Sequence, residues 1–152
     1  MKVLIIDDDE DLRNILAHHL KQEWPDLQVE QFDPLEREMP EASFPLGAYD
    51  VVILDPPSFT RNRASVPDAL RGYKELHLRA LKLLKQGGVM ATFCCSHHVD
   101  AGLFLDTVLS AAYDQRRVLR RVAIYGQTLD HPVIPSIPET EYLKGFAFEL
   151  VR

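Results

Sequence analysis

Residues Val3–Ile6 form a short, unbroken run of β-type apolar side chains that ends on the acids Asp7 and Asp8. A run this short and apolar at every position is what a parallel strand buried on both faces requires. Asp8 or Asp9 can cap a helix directly behind it, with Leu12, Ile15, Leu16 and Leu20 at helical spacing, and Trp24-Pro25-Asp26 stops that helix. The alternation then repeats. Leu27–Phe32 reads as a second strand. Tyr49–Leu54 reads as a third, closed by Asp55-Pro56-Pro57. Val66 to Leu84 is a helix by the spacing of Leu70, Tyr73, His77, Ala80, Leu81 and Leu84, with Gly87-Gly88 as its stop. Val89–Cys95, Val118–Tyr125 and Tyr142–Val151 read as three more strands, and Val99–Tyr113 as a helix. This order predicts a three-layer α/β/α domain around a mostly parallel, doubly wound sheet. No helix separates the last two strands, so the final one is expected to run antiparallel to its neighbours.

The 152 residues suffice for one domain, and 1–152 is read as a single one. The formal charge of −6 divides unevenly: residues 1–55 carry 14 acids against 4 bases, and residues 56–152 carry 9 against 13. Such asymmetry asks whether the two parts have different jobs or histories. No apolar run reaches the roughly 18–20 residues of a membrane span. The opening apolar run is too short and too soon acidic for a signal peptide. Two adjacent cysteines, Cys94 and Cys95, are no disulfide framework, so a cytoplasmic setting is expected.

The segment KVLIIDDDEDLRNILAHHL, followed by YDVVILD, resembles a response-regulator receiver domain. Asp7 and Asp8 end the first strand and Asp55 ends the third. In receivers such acids hold Mg²⁺ and accept a phosphoryl group, so the resemblance implies weak Mg²⁺ binding at Asp7, Asp8 and Asp55. Hard oxygen ligands suit that ion. The receiver's later hydroxyl and lysine positions are not matched: the fourth strand ends Phe93-Cys94-Cys95-Ser96, and VLRRVAIY carries no lysine at its end.

From Asp55 onward the chain resembles a different family. DPPSF at Asp55–Phe59, then RGYKELHLRALKLLKQGG, TFCCS and DHPVIPSIPETEYLKGFAFELV are similar to the C-terminal part of the class I S-adenosylmethionine-dependent 23S ribosomal RNA 5-methylcytosine methyltransferases. The resemblance implies that Cys95 is the nucleophile that adds to C6 of cytosine and that Asp55 contacts the target base. It makes Arg61, Arg63, Arg71 and Lys74 the residues for an RNA backbone, and Asp33 the acid for the cofactor ribose. The glycine-rich turn of that fold is missing. None of the seven glycines lies near the first strand, where the turn reads Asp7-Asp8-Asp9-Glu10.

Other clusters read more plainly. Cys94, Cys95, His97 and His98 lack zinc-finger spacing. His77 lies on an apolar stripe, and Phe93, Phe104, Phe146 and Phe148 read as core. The two resemblances meet at the third strand. Taken together they imply a sheet order of 2-1-3-4-6-5, flavodoxin-like on one side and Rossmann-like on the other. They also lead to the expectation of an engineered chimera, with residues 1–50 receiver-derived and 50–152 methyltransferase-derived. Such a chain is expected to be catalytically inactive, with its S-adenosylmethionine site lost. It should need no partner, bind no RNA or membrane, and be a monomer or an adventitious dimer. The alternatives are a Mg²⁺-binding receiver-like module and an S-adenosylmethionine-dependent RNA (cytosine-5) methyltransferase remnant.

Overall fold

The computed structural model describes residues 1–35, 44–60 and 62–152, so part of the proline-spaced segment after Asp33, and Arg61, lie outside the described residues. Strands β1 (Lys2–Asp7), β2 (Gln28–Phe32), β3 (Tyr49–Asp55), β4 (Leu84–Cys94), β5 (Leu119–Tyr125) and β6 (Lys144–Leu150) alternate with helices α1 (Glu10–Glu23), α2 (Val66–Leu83) and α3 (Ala101–Asp114). The sheet runs β2-β1-β3-β4-β6-β5, as expected from sequence. β1 pairs in parallel with both β2 and β3, and β3 with β4. β6 is antiparallel to both β4 and β5 and lies between them.

Alternation along the strands divides the core in two. Leu4, Ile6, Val52, Leu54, Met90, Phe146, Phe148 and Leu150 face Tyr73 and Leu81 of α2 and Phe104 and Val108 of α3. Val3 and Ile5 face the other way and pack with Ala17 of α1 and Leu27, with Leu16, Leu20, Val51 and Ile53 around them. A fully buried leucine or phenylalanine contributes about 1.5–3 kcal/mol, so the first cluster carries most of the stability.

Two sequence expectations change. The apolar stripe of α1 is only partly the buried face: Leu16 and Leu20 pack on the core, but Leu12 and Ile15 are 44% and 54% exposed, while Arg13 and Ala17 are buried. The helix is turned so that the Arg13 guanidinium donates to the Asp7 carbonyl at 2.5 Å. Helix α2 keeps its expected span to within one residue, but Gly87-Gly88 is not its stop. It stops at Leu83, Leu84 turns extended, and β4 begins there. Gly87 sits at φ +77°, in the left-handed region that glycine tolerates. A Cβ on Gly88 would lie 3.0 Å from the Asp50 carbonyl, where the β3–β4 register shifts.

Candidate active site

The parallel strands end their carboxyl termini along one edge, and that edge is where an open α/β sheet binds ligands. Here it holds a cavity of about 500 Å³ lined by Asp7, Asp8, Asp9, Leu12, Asp55, Pro56, Pro57, Cys95, Gln127, Thr128, His131, Tyr142 and Leu143. Asp55 ends β3 and Cys95 follows β4, so two neighbouring strands deliver a carboxyl and a thiol to one space. Cys94 points instead into the core and is fully buried.

Electrostatics set the protonation of both groups. Burial, and then the charges of Asp7 and Asp8, push the Asp55 carboxyl up to about 6. The Cys95 thiol is also pushed up, first by burial and then by Cys94 and Asp55, against the opposing charge of Lys144. The Lys144 ammonium donates to the Ser96 carbonyl, and burial lowers its own pKa. Asp7 is raised in turn by burial, despite its hydrogen bond from the Asp9 amide at 2.7 Å.

The β1–α1 turn is closed by its own acids. The Asp9 carboxylate caps α1 by accepting from the Leu12 amide at 3.0 Å, and Asp7 takes the Asp9 amide. Asp33, beyond the end of β2, accepts from the Leu35 amide at 2.8 Å and lies 3.6 Å from the Arg13 guanidinium. Asp7, Asp8 and Asp55 do share one edge. Among the described residues, however, no three acids, histidines or cysteines converge into a metal-holding group.

Of the basic residues expected at RNA, the three that are described, Arg63, Arg71 and Lys74, do not line this cavity. Arg71 pairs with Asp68, and the Lys74 ammonium lies 2.7 Å from Asp114. Both line a shallower groove of about 260 Å³ between α2 and α3. Arg63 is exposed in a 3₁₀ turn ahead of α2. Sequence reading included most of the β5–β6 loop in a motif but gave no role to Gln127, His131 or Tyr142. The Gln127 side chain accepts from the Tyr142 amide at 2.8 Å and donates to the His131 carbonyl at 3.0 Å, which folds this loop into a cavity wall. The one sequence signal was position: a loop between the last two strands must return past the carboxyl edge of β4.

The fold is that of the Rossmann-like methyltransferases. A protein described as a methyltransferase and solved with SAH, SMU.776, aligns over 97% of this chain and 44% of its own, with a TM-score of 0.67 and 20% identity. A methyltransferase from Pyrococcus furiosus aligns over 99% of this chain and 62% of its own, with a TM-score of 0.51 and 12% identity. Among curated proteins, the ribosomal RNA large subunit methyltransferase I of Photobacterium profundum is 42% identical over 99 residues, which is 65% of this chain and 25% of that protein. That of Shigella dysenteriae serotype 1 is 40% identical over 103 residues, 68% of this chain and 26% of its own length. The chain thus spans about a quarter of the length of these curated relatives. No protein-family model matches it.

These matches correct two expectations. The chain is not read as an engineered chimera, because a single methyltransferase fold aligns with 97% of it, the β1-α1-β2 segment included, and nothing in the matches points to a receiver domain. Nor is it read as an inert non-enzyme, since the relatives bear the names of enzymes. No helix among the described residues is long and apolar enough to cross a membrane.

Proposed function

We propose that the chain is an RNA methyltransferase of the S-adenosylmethionine-dependent class, acting on C5 of cytosine. The observation that carries this reading is the meeting of Asp55 and Cys95 in one cavity. The Cys95 thiol would give its proton to the ionised Asp55 carboxylate as its sulfur bonds to C6 of the base, and the C5–C6 electron pair would shift toward C5, which makes C5 a nucleophile. Asp55 would donate a proton to N3 as that charge develops. A carboxyl held near 6 is half protonated at about pH 6 and about one-tenth protonated at pH 7, so near neutrality it can both take and give a proton. The similarity to ribosomal RNA methyltransferases supports RNA as the substrate class.

The cofactor does not fit the β1–α1 turn as this chain builds it. An amino-acid tail placed there would meet Asp7, Asp8 and Asp9, and the Asp9 and Leu12 amides are already taken by the chain's own carboxylates. Arg13 stands at the acid that would hold a ribose. The acceptor half of the reaction therefore carries the proposal, and no step is derived through the methyl donor.

Reversible addition of Cys95 exchanges the C5 hydrogen with solvent and needs no cofactor. Release of tritium from [5-³H]cytosine in ribosomal RNA is the test. The expected result is release by the wild-type chain and none by Cys95→Ala. Equal release from both would overturn the assignment of Cys95, and none from either would overturn the cytosine reading. Calorimetric titration with S-adenosylmethionine separately measures the donor half.

A further inference from the structure

Three aromatic rings gather at the mouth of the cavity. The Tyr142 ring lies 5.2 Å from His97, tilted by 38°, and 6.5 Å from His131, nearly perpendicular at 79°. Tyr142 and His131 are themselves among the cavity-lining residues, together with Cys95 and Asp55. They come from separate segments: His97 from the stretch after β4, and His131 and Tyr142 from opposite ends of the β5–β6 loop.

The cluster is built in advance of any ligand. Gln127 holds the Tyr142 amide and the His131 carbonyl with one side chain, and its carbonyl oxygen also lies 3.4 Å from the Leu143 amide. The Thr140 hydroxyl donates to the Ile137 carbonyl at 2.7 Å and accepts from the Ile134 amide at 2.8 Å, fixing the remainder of the loop. The Asp130 carboxylate lies 3.2 Å from the His131 ring. Yet His97 and His131 remain exposed and Tyr142 only half-buried, so their ring surfaces are not consumed by the core.

We propose that His97, Tyr142 and His131 form a stacking shelf for the base of the nucleotide adjacent to the target cytosine. The inference rests on the RNA reading above and deepens it: it names a neighbouring-nucleotide subsite at the same cavity. Flat π-faces take any base, and stacking of this kind is how single-stranded nucleic acid is held without base readout. Charge sets the path of the strand. Asp7, Asp8 and Asp9 line the same cavity and repel phosphate, while the exposed His97 imidazole offers an N–H donor; His131 faces Asp130 with its Nδ1 and contributes its ring. The backbone is therefore drawn past His97, with the target base turned inward to Cys95.

The test follows protection of Cys95 from iodoacetamide, read by peptide mass spectrometry. Cytidine monophosphate and the trinucleotide UCU serve as probes. The wild-type chain is expected to bind UCU about tenfold more tightly than the mononucleotide, the size of one stacked base. Tyr142→Phe keeps that ratio, and Tyr142→Ala brings it close to one. His97→Ala gives a second variant, expected to lower the ratio in part, and thermal melts confirm that each variant folds. An unchanged ratio in folded Tyr142→Ala and His97→Ala overturns the shelf while leaving the cytosine pocket standing. If neither probe protects Cys95, the pocket reading fails. Ring-proton shifts of Tyr142 and His97 on addition of poly(U) then decide the shelf separately: a shift supports it and silence rejects it.

Discussion

The His77 ring and the Thr92 hydroxyl lie 2.8 Å apart, both fully buried, and join α2 to β4 through the core. The other ring nitrogen of His77 lies 2.6 Å from the Tyr73 carbonyl, which can only accept, so Nδ1 carries the proton and Nε2 accepts from Thr92. The imidazole is thus neutral and satisfied on both sides. Burial lowers its pKa from 6.5 to about 4. Because the folded value lies below the unfolded one, the stability associated with the neutral ring is complete above pH 6.5 and is lost as the pH falls toward 4. The His77 contribution, up to about 3 kcal/mol, is read as the difference in urea unfolding free energy between the wild-type chain and His77→Leu across pH 4–7.5. That difference should shrink toward pH 4. Thr92→Val, which leaves Nε2 without a donor, should cost about 1–3 kcal/mol at neutral pH.

Asp55 predicts the opposite slope. Its folded pKa of about 6 exceeds its ordinary value of 3.8, so its charge penalises the fold once the pH rises above about 4, and the penalty grows until about 6. Asp55→Asn is therefore expected to raise stability at pH 7 by on the order of 2 kcal/mol and to change it little below pH 4. Thermal melts at the two pH values check this. If Asp55 is the general acid, the same variant should lose C5-hydrogen exchange while it gains stability.

Gly145 lies between Phe93 and Tyr125, whose rings pack 5.7 Å apart across it. A Cβ at this position would stand 2.6 Å from the Phe93 ring and 3.0 Å from the Tyr125 Cβ. Gly145→Ala should cost about 1–3 kcal/mol in denaturant unfolding. Phe93→Ala in the same chain should recover part of that loss, because the ring that blocks the methyl group is gone.

Arg13 is nearly buried, and its guanidinium serves the Asp7 carbonyl and the Asp33 carboxylate together. Arg13→Met keeps the apolar stem and removes the charge. The expected result is a loss of about 1–3 kcal/mol, since the Asp7 carbonyl loses its donor and the half-buried Asp33 carboxylate loses its ion-pair partner. Asp33→Asn in the same background should restore part of it, as measured by urea unfolding.

The strand order was legible because each strand is a short apolar run of unmistakable type, and the lack of a helix between β5 and β6 revealed the antiparallel member. Helix α1 was misread for a physical reason. Periodicity counts Leu12 and Ile15 as buried and Arg13 as exposed, but a hydrogen bond from Arg13 to a strand-end carbonyl fixes the rotation of the helix. At the site, Asp55 and Cys95 could be named from the motifs around them. Gln127, His131 and Tyr142 could not, because an irregular loop carries no period and its shape comes from side-chain-to-backbone bonds that span up to 16 residues. The acids that pair with Arg71 and Lys74 were only partly legible: Asp68 is close in sequence, but Asp114 is brought in by the packing of α3 on α2.

The insertion of β6 between β4 and β5 has a bearing on how the chain comes into being. As the polypeptide leaves the ribosome, β5 emerges with no strand to pair with, since the slot beside β4 belongs to a segment some twenty residues further on. The nascent sheet stops at β4, and the wall carrying Tyr142 stays unformed until residues 144–150 thread home. The edge that carries Tyr142 beside Cys95 therefore closes only when β6 pairs with β4 and β5, and a chain cut before β6 would leave β4 and β5 without the strand that joins them.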